Sequence, residues 1–438
     1  MKYSLFSILI FTLLASCSEN LDPTDEQLLS LLEEHSPTVS SDYFIMPDAQ
    51  EYNKLPNVDP HNPITEEKIA LGKMLFFDPA LAQNPMHENS YETYSCSSCH
   101  VPSRGFLPGR LQGIADGAIG FGDDGTKRLM AEGYEESELD AQGNRPMTTM
   151  NVTYMTNTLW GGLFGANDKN EGTEYAWTGL AEVNHTGYVG LEAQNIEGFD
   201  LHRLEINDHV LDDYGYRELF DIAFADFPEE ERYTPVTASF AMGAFLRSIL
   251  TNEAPFQDYL KGNYEALTED QKQGAILFLD KANCISCHSS PSFSSMQFHR
   301  LGTADMHNFG GLNTAEDDPR YLGRGMFTGR EEDFYKFKVP QLYNLKDYRS
   351  YFHGSSKYSI ADVVDFKIAA SSENPNVSTS DIPLKRLILT KTERRQLIDF
   401  LTNALYDDDM ERYMPSEVPS GLCFPNNDYL SKIDMGCE

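Results

Sequence analysis

Helical periodicity dominates the pattern of apolar and polar positions along this chain, and in three places it follows a helix-start signal. The three stretches begin at Thr65, Thr268 and Thr390. In the second and third, a Gln or Glu three residues after the Thr completes a capping box. The apolar positions that follow are Ile69, Leu75 and Phe76, then Ile276, Leu277 and Leu279, then Leu397, Ile398, Leu401 and Leu405. Because no long alternating run of β-branched residues occurs, the pattern predicts a mostly α fold.

The first two stretches share the sequence G-x-x-L-F-x-D, at residues 72–78 and 274–280. Each copy leads to a C-x-x-C-H pentapeptide, at residues 96–100 and 284–288. Asp78 lies 18 residues before Cys96, whereas Asp280 lies 4 residues before Cys284, so the first copy carries a longer loop. The repeat predicts two tandem cytochrome-c-like haem domains with long loops.

The C-x-x-C-H pentapeptide is the attachment sequence of c-type haem. One turn of backbone presents two thiols to the two vinyl groups of a porphyrin, and the following His turns its imidazole to the iron. We therefore expect two covalently bound haems, held by Cys96, Cys99 and His100 and by Cys284, Cys287 and His288. The alternative, a zinc site, requires both Cys pairs to converge on one ion and leaves the two His unexplained.

Net charge restricts the possible partners. The chain has 34 Lys and Arg against 68 Asp and Glu, a formal net charge of −34, so nucleic acid and anionic lipid surfaces would repel it. A small basic protein, such as a cytochrome c or a cupredoxin, is the partner that this charge favours. The absence of an apolar run of about 18 residues after the N-terminus argues against a membrane-spanning bundle.

The N-terminus carries an export pattern. Met1, Lys2 and Tyr3 precede a short apolar run, and Leu14-Ala15-Ser16-Cys17 resembles a bacterial lipobox, whose Cys receives a lipid after cleavage. An ordinary signal peptide is the alternative. Because an exported protein meets an oxidising compartment, Cys423 and Cys437 are expected to form a disulfide, the alternative being two free thiols.

The organisation predicted from these signals has five segments. Residues 1–17 are a lipoprotein signal, 18–58 an acidic tether, 59–255 the N-terminal haem domain, 256–415 the C-terminal haem domain, and 416–438 a tail pinned by the disulfide. The protein is thus expected in the periplasm or at the cell surface, reaching the membrane only through a lipid on Cys17. Two long loops, 109–144 and 161–190, follow the first pentapeptide and could wall a substrate pocket.

Ordered matches between residues 65 and 405 resemble the bacterial di-haem cytochrome c peroxidase family, which includes the MauG-like enzymes. Besides the two pentapeptides, the matching stretches are 71–78, Arg145-Pro146 with Asn151 before Trp160, 190–194, 298–302, 337–344, 351–354 and 363–366. The resemblance implies two cytochrome-c-like domains, with hydrogen peroxide reduced at the N-terminal haem. The C-terminal haem would receive the electrons.

The resemblance also implies a catalytic carboxylate. In Leu191-Glu192-Ala193-Gln194, Glu192 would take a proton from the near oxygen of H2O2 and return it to the leaving oxygen. Gln194 is a weaker candidate for the same pocket. The family's short connection between the Trp and this Glu is expanded here to the 31 residues between Trp160 and Glu192.

The first haem departs from the family pattern on its distal side, opposite His100. No His occurs between His100 and His185, so the His that caps the iron at rest in many family members is missing. We expect a five-coordinate or water-bound iron. His185, His202 and His209 could reach it only through the long loops, and a surface or structural role is expected for each.

The second haem departs as well. Its usual distal Met or Tyr, 14 residues after the His of Tyr351-Phe352-His353-Gly354, is Lys367 here. A lysine ligates iron only as the neutral amine, which burial would favour. The alternative is an exposed Lys367 with another ligand, the reserves being Met296, Met306, Met326 and Tyr358.

Three other expectations follow from the resemblance. His353 is expected to contact a haem propionate rather than iron. The family's inter-domain calcium site is doubtful, because Tyr348 and Ser350 stand where a Thr and a Pro are usual. Trp160 and Trp177 are the only tryptophans, and either could relay electrons between haems, although core packing is the default for both.

Three functions fit these features. The first is a peroxidase that reduces H2O2 with electrons from a small basic protein. The second is a MauG-like oxidase that uses peroxide to oxidise residues of a partner protein, which the missing His near the first haem and the absence of Met at position 367 favour. The third is a di-haem electron carrier, which would cap both irons with strong ligands.

Overall fold

The computed structural model describes residues 21–48 and 50–437, so the expected signal and Cys17 lie outside the described residues. The helices of this part of the chain are α1 (Pro23–His35), α2 (Glu66–Phe77), α3 (Gly190–Leu201), α4 (Tyr216–Ala223), α5 (Pro235–Ser248), α6 (Pro255–Leu260), α7 (Glu269–Leu279), α8 (Arg324–Thr328), α9 (Ile360–Ala369), α10 (Lys391–Asp399) and α11 (Tyr429–Met435). Many short 3-10 turns connect them.

Strands are few and short. β1 (Ala118–Ile119) pairs with β2 (Leu129–Met130), and β3 (Ser295–His299) pairs with β4 (Phe337–Val339), both antiparallel. His299 lies opposite Phe337, and a bulge interrupts β3 between Ser295 and Phe298. The prediction of a mostly α fold is confirmed. Within residues 21–48 and 50–437, no helix is long and apolar enough to cross a membrane.

α2, α7 and α10 begin where their capping residues predict. The Thr65 hydroxyl accepts a hydrogen bond from the backbone N–H of Lys68, at 3.2 Å. The Thr268–Gln271 and Thr390–Glu393 pairs both form complete capping boxes. These local bonds fix the helix starts because they satisfy N–H groups that the first turn of a helix leaves without partners.

The repeated glycine marks a close helix crossing in each copy. A Cβ atom on Gly72 of α2 would lie 2.0 Å from the carbonyl oxygen of Ala241 in α5. A Cβ atom on Gly274 of α7 would lie 2.2 Å from the carbonyl oxygen of Gln396 in α10. Any side chain at either position would therefore push the paired helices apart.

The repeated phenylalanine has an equally regular place. The Phe76 ring centroid lies 6.3 Å from that of His100, and the Phe278 centroid lies 6.4 Å from that of His288. Phe76 and Phe278 also belong to one continuous cluster of buried side chains, together with Phe245, Phe293 and Phe400. The two copies thus pack each His in the same way and share one core.

The segment expected to be an acidic tether is folded, which corrects the prediction for residues 21–58. Leu28 and Leu32 of α1 are fully buried, and α1 packs on α7. The buried Asp25 carboxylate pairs with the Lys272 ammonium at 2.7 Å. The prediction failed because Leu28 and Leu32 form an apolar stripe with the i, i+4 spacing of a helix face, and because the charge of Asp25 is paired in the interior.

The C-terminal tail packs against the first pentapeptide. A disulfide joins Cys423 to Cys437. The hydroxyl groups of Ser95 and Ser98 donate to the carbonyl oxygen of Pro425, at 3.0 and 3.2 Å. The tail therefore braces the turn that carries Cys96 and Cys99.

Glu192, for which an acid–base role is expected, lies in a buried ion pair and does not stand free in a pocket. Its side chain is 0% exposed and forms an ion pair with Arg247 of α5, which is 1% exposed. One carboxylate oxygen accepts from Arg247 Nη2 at 2.6 Å, and the other accepts from Arg247 Nη1 and from Asn62 Nδ2. A carboxylate held on both oxygens by a guanidinium group joins α3 to α5 and is poorly suited to exchanging protons.

We expect Glu192→Gln to destabilise the fold by about 3–5 kcal/mol, because it leaves the Arg247 charge buried without a partner. Guanidinium unfolding followed by far-UV circular dichroism measures the loss. Asp270→Asn is the matched control, since Asp270 pairs with Arg395 at the surface, and it should leave the unfolding free energy nearly unchanged. A Glu192→Gln protein with parental stability and slow peroxide chemistry would restore the acid–base role.

Candidate functional site

The first pentapeptide forms one 3-10 turn over Cys96–Ser98, and this turn places the following imidazole. The His100 backbone N–H donates to the Cys96 carbonyl at 3.1 Å. His100 Nδ1 lies 3.0 Å from the Phe106 carbonyl oxygen, which can only accept, so Nδ1 carries the proton. Nε2 is thus left with its lone pair, as an iron ligand requires.

The second pentapeptide repeats this geometry. Cys284–Ser286 form the same turn, and the His288 backbone N–H donates to the Cys284 carbonyl at 3.0 Å. His288 Nδ1 donates to the Phe293 carbonyl at 2.7 Å. Burial lowers the pKa of His100 to about 4 and, with the nearby charge of Lys367 adding to burial, that of His288 to about 3. Both imidazoles are therefore neutral at pH 7.

The four motif cysteines form no disulfide. Burial raises the pKa of the Cys96, Cys99 and Cys284 thiols to about 12, so these thiols are protonated at pH 7 in the absence of a bound group. Among the described residues no group of three or more His, Cys, Asp or Glu could hold a metal ion. The two Cys pairs thus do not converge on one metal.

Two buried cations fit the carboxylates of haem. Arg145 Nη1 is buried and has no hydrogen-bond partner, and burial lowers the Arg145 pKa to about 10. The fully desolvated Lys338 ammonium donates to the Asn157 carbonyl at 2.6 Å, and burial lowers its pKa to about 7. A buried cation without an acidic partner is costly, so an anionic group such as a propionate suits this environment.

Arg145 and Lys338 were used in the sequence analysis only as part of the family resemblance, and neither was predicted to bind an anionic group. Both lie in matching stretches, and Lys338 stands between Phe337 and Val339 in a short apolar run. A lysine in such a run is seldom buried without a partner. The position of Lys338 between apolar neighbours could therefore have identified it as a residue that binds an anionic ligand.

His353, which is expected to contact a propionate, has protein partners on both sides of its ring. Its Nε2 lies 2.8 Å from Asp305 Oδ1, and its Nδ1 lies 3.3 Å from the Thr303 hydroxyl. Phe337 stacks on its ring at 3.6 Å between centroids. Both ring nitrogens thus have protein partners, and Arg145, which donates to the His353 carbonyl through its backbone N–H, has the unused donor.

Lys367 reaches the second attachment site from α9. Its charge interacts with Cys284, Cys287 and His288, and burial lowers its own pKa, which favours the neutral amine. Two of the reserve candidates, Met326 and Tyr358, are exposed, and Met306 is buried against Gly311. Lys367 therefore stays the expected ligand of the second site.

Only one of the three later histidines comes near the first attachment site. His202 contributes to the lowered pKa of His100. His185 Nε2 instead lies 3.2 Å from the Trp177 carbonyl, and His209 lies between Glu92 and Asp213.

The two tryptophans differ in position. Trp160 Nε1 donates to the Arg145 carbonyl at 2.6 Å, and its ring meets Phe337 and His353 edge-on. It therefore joins segments from both halves of the chain. Trp177 packs in a small separate cluster with Ala181 and Phe327, which is a core position.

Comparisons with known proteins agree with this arrangement. The family described as di-haem cytochrome c peroxidase matches residues 66–265. Methylamine utilization protein MauG of Methylorubrum extorquens is 30% identical over 352 residues, covering 79% of this chain and 81% of the relative. Cytochrome-c peroxidase IdrP1 of a Pseudomonas species is 25% identical, covering 78% of this chain and 81% of the relative.

Solved structures show the same fold. A MauG-like protein associated with microbial copper homeostasis has a TM-score of 0.55 at 23% identity, covering 83% of this chain and 96% of that protein. The di-haem peroxidase BthA from Burkholderia thailandensis has a TM-score of 0.50 at 19% identity, covering 83% and 92%. The paired attachment turns, the relatives and the shared fold lead to one conclusion: the chain belongs to the di-haem cytochrome c peroxidase family that includes MauG, and it is an oxidoreductase.

Proposed function

We propose that this protein reduces hydrogen peroxide to water at a haem on the first attachment site, using electrons received at a haem on the second. The observation that carries the proposal is the difference between the two sites. A desolvated lysine amine faces Cys284, Cys287 and His288, which suits a capped electron-transfer centre. At the first site the charge of His202 acts on His100 instead, and we assign the open iron to this site.

The proposal includes two covalent haems, each joined by thioether bonds to the Cys pair of its pentapeptide. Each haem, when bound, supplies an iron that accepts and releases single electrons. Two such centres match the balance H2O2 + 2 e− + 2 H+ → 2 H2O. His100 and His288 would hold the irons, and Arg145 and Lys338 would pair with propionates.

The proposed domain division follows the repeat, with residues 59–255 forming one haem unit and 256–415 the other. The equivalent glycine crossings and phenylalanine contacts of the two copies support this division. Residues 23–46 are assigned to the second unit, since α1 packs on α7 and the Met46 backbone N–H donates to Gln257 at 2.8 Å. Calcium is left out of the proposal, because Tyr348 and Ser350 stand where the family usually has a Thr and a Pro.

The proposed electron donor is a small basic redox protein, because complementary charge accelerates the encounter with a chain of net charge −34. Export and lipid attachment at Cys17 remain part of the proposal. Both rest on the sequence of residues 1–17.

The function is tested by selective removal of each haem. The double variant Cys96→Ser, Cys99→Ser should retain one haem by mass and lose H2O2 reduction, because the peroxide site is gone. The matched variant Cys284→Ser, Cys287→Ser should keep a reactive first haem but lose steady-state turnover with a reduced basic cytochrome c. Stopped-flow absorbance measures both, and the parent should consume one H2O2 per two electrons. If the first variant turns over like the parent, the assignment of the peroxide site is wrong.

Lys367 is tested by its effect on the second haem alone. Lys367→Ala should convert this haem from low spin to high spin in the oxidised protein, and Lys367→Met should restore a low-spin iron with a changed absorption spectrum. Lys357→Ala is the control, since Lys357 pairs with Glu373, and it should leave the spectrum unchanged. An unaltered spectrum in Lys367→Ala would assign the ligand to another residue.

A further inference from the structure

His202 follows directly after α3 and is tied to the segment that leads into the first pentapeptide. Its backbone carbonyl accepts a hydrogen bond from the Tyr94 hydroxyl at 3.0 Å, and Tyr94 is a buried residue two positions before Cys96. The charge of His202 also reaches His100. These contacts place His202 beside the attachment turn, although 101 residues separate it from His100.

Asp140 fixes the orientation of the His202 ring. His202 Nδ1 lies 2.7 Å from Asp140 Oδ2, and the Asp140 side chain is only 5% exposed. Because a carboxylate accepts, Nδ1 carries a proton and Nε2 points away from Asp140. No hydrogen bond to Nε2 occurs among the described residues, and 38% of the His202 side chain is accessible. The ring thus offers one free nitrogen from a fixed position.

Asp140 itself lies at the first site. Its charge adds to burial in raising the pKa of both Cys96 and Cys99. It is carried by the long loop 109–144, whose Gly113 touches Cys99: a Cβ atom on Gly113 would lie 2.6 Å from the Cys99 sulfur. The His202–Asp140 pair therefore lies close enough to the first site for its charges to act on His100, Cys96 and Cys99.

Electrostatics suit this pair to proton exchange. Burial alone would lower the pKa of His202, but the charge and hydrogen bond of Asp140 outweigh burial and Arg203, so the pKa lies above its ordinary value. An imidazole in this range can both accept and return a proton near neutral pH. Glu192, chelated by Arg247, has no comparable freedom.

We propose that His202 is the acid–base residue of the first site and that Asp140 is its positioning residue. With a haem bound at the first site, His202 Nε2 would take a proton from one oxygen of H2O2 and give it to the other oxygen as the O–O bond breaks. That oxygen leaves as water. The two electrons come from the reduced haems and the two further protons from solvent, so His202 ends in its starting state. This inference rests on the proposed function.

Cyanide binding tests His202 independently of peroxide turnover. Hydrogen cyanide must lose its proton to bind ferric iron, so His202→Gln should slow cyanide binding to the oxidised first haem at least 10-fold, with haem content and the resting spectrum unchanged. The reaction with H2O2 should slow by about 10²-fold. Asp140→Asn, which keeps His202, should slow both by about 10-fold, as expected for a residue that acts through another. His209→Gln is the control and should behave like the parent.

Two results would overturn the inference. One is a His202→Gln protein that binds cyanide at the parental rate. The other is a change of the first haem from low spin to high spin in that variant, which would make His202 an iron ligand. If the parent fails to reduce H2O2 while His202→Gln still slows cyanide binding, the proposed function fails but the placement of His202 stands.

Discussion

Each attachment imidazole depends on one hydrogen bond from its Nδ1 to a backbone carbonyl, at Phe106 in the first site and Phe293 in the second. This bond sets the ring orientation and leaves Nε2 unprotonated. The surrounding fold keeps it in place: a helix crosses its partner at a glycine, and a phenylalanine one turn later packs beside the imidazole. Because both copies repeat these contacts, the chain can present two equivalent iron ligands within one continuous core.

The two sites differ in what the chain adds around this common frame. The second site receives Lys367 from α9, and the charge of Lys367 interacts with Cys284 and Cys287. The first site receives Asp140 and His202 from the long loop and the end of α3, and the C-terminal tail braces its turn. The same scaffold would thus support the proposed difference between the two haems, with Lys367 at the second site and His202 at the first. Both residues lie outside the repeated motif.

Local signals predicted much of this arrangement. Each start of α2, α7 and α10 depends on two residues three positions apart, and each attachment turn depends on a motif of five residues. The local sequence was therefore sufficient to predict both features. The prediction of a tether failed because it was based on the acidic composition of the segment and did not take account of the buried residues Leu28 and Leu32. The ion pair of Glu192 was not predicted because its partner Arg247 lies 55 residues away. A surface or structural role was expected for His202 because its contact with Asp140 forms only when the long loop folds. The residues next to His202 in the sequence give no sign of this contact.

The central claim is that two similar attachment sites hold irons in different states, one open and one capped. The most direct measurement is the low-temperature electron paramagnetic resonance spectrum of the fully oxidised protein. The account predicts one high-spin ferric signal from the first haem and one low-spin signal from the second, in equal amounts. Two low-spin signals would contradict it, since both irons would then be capped as in an electron carrier.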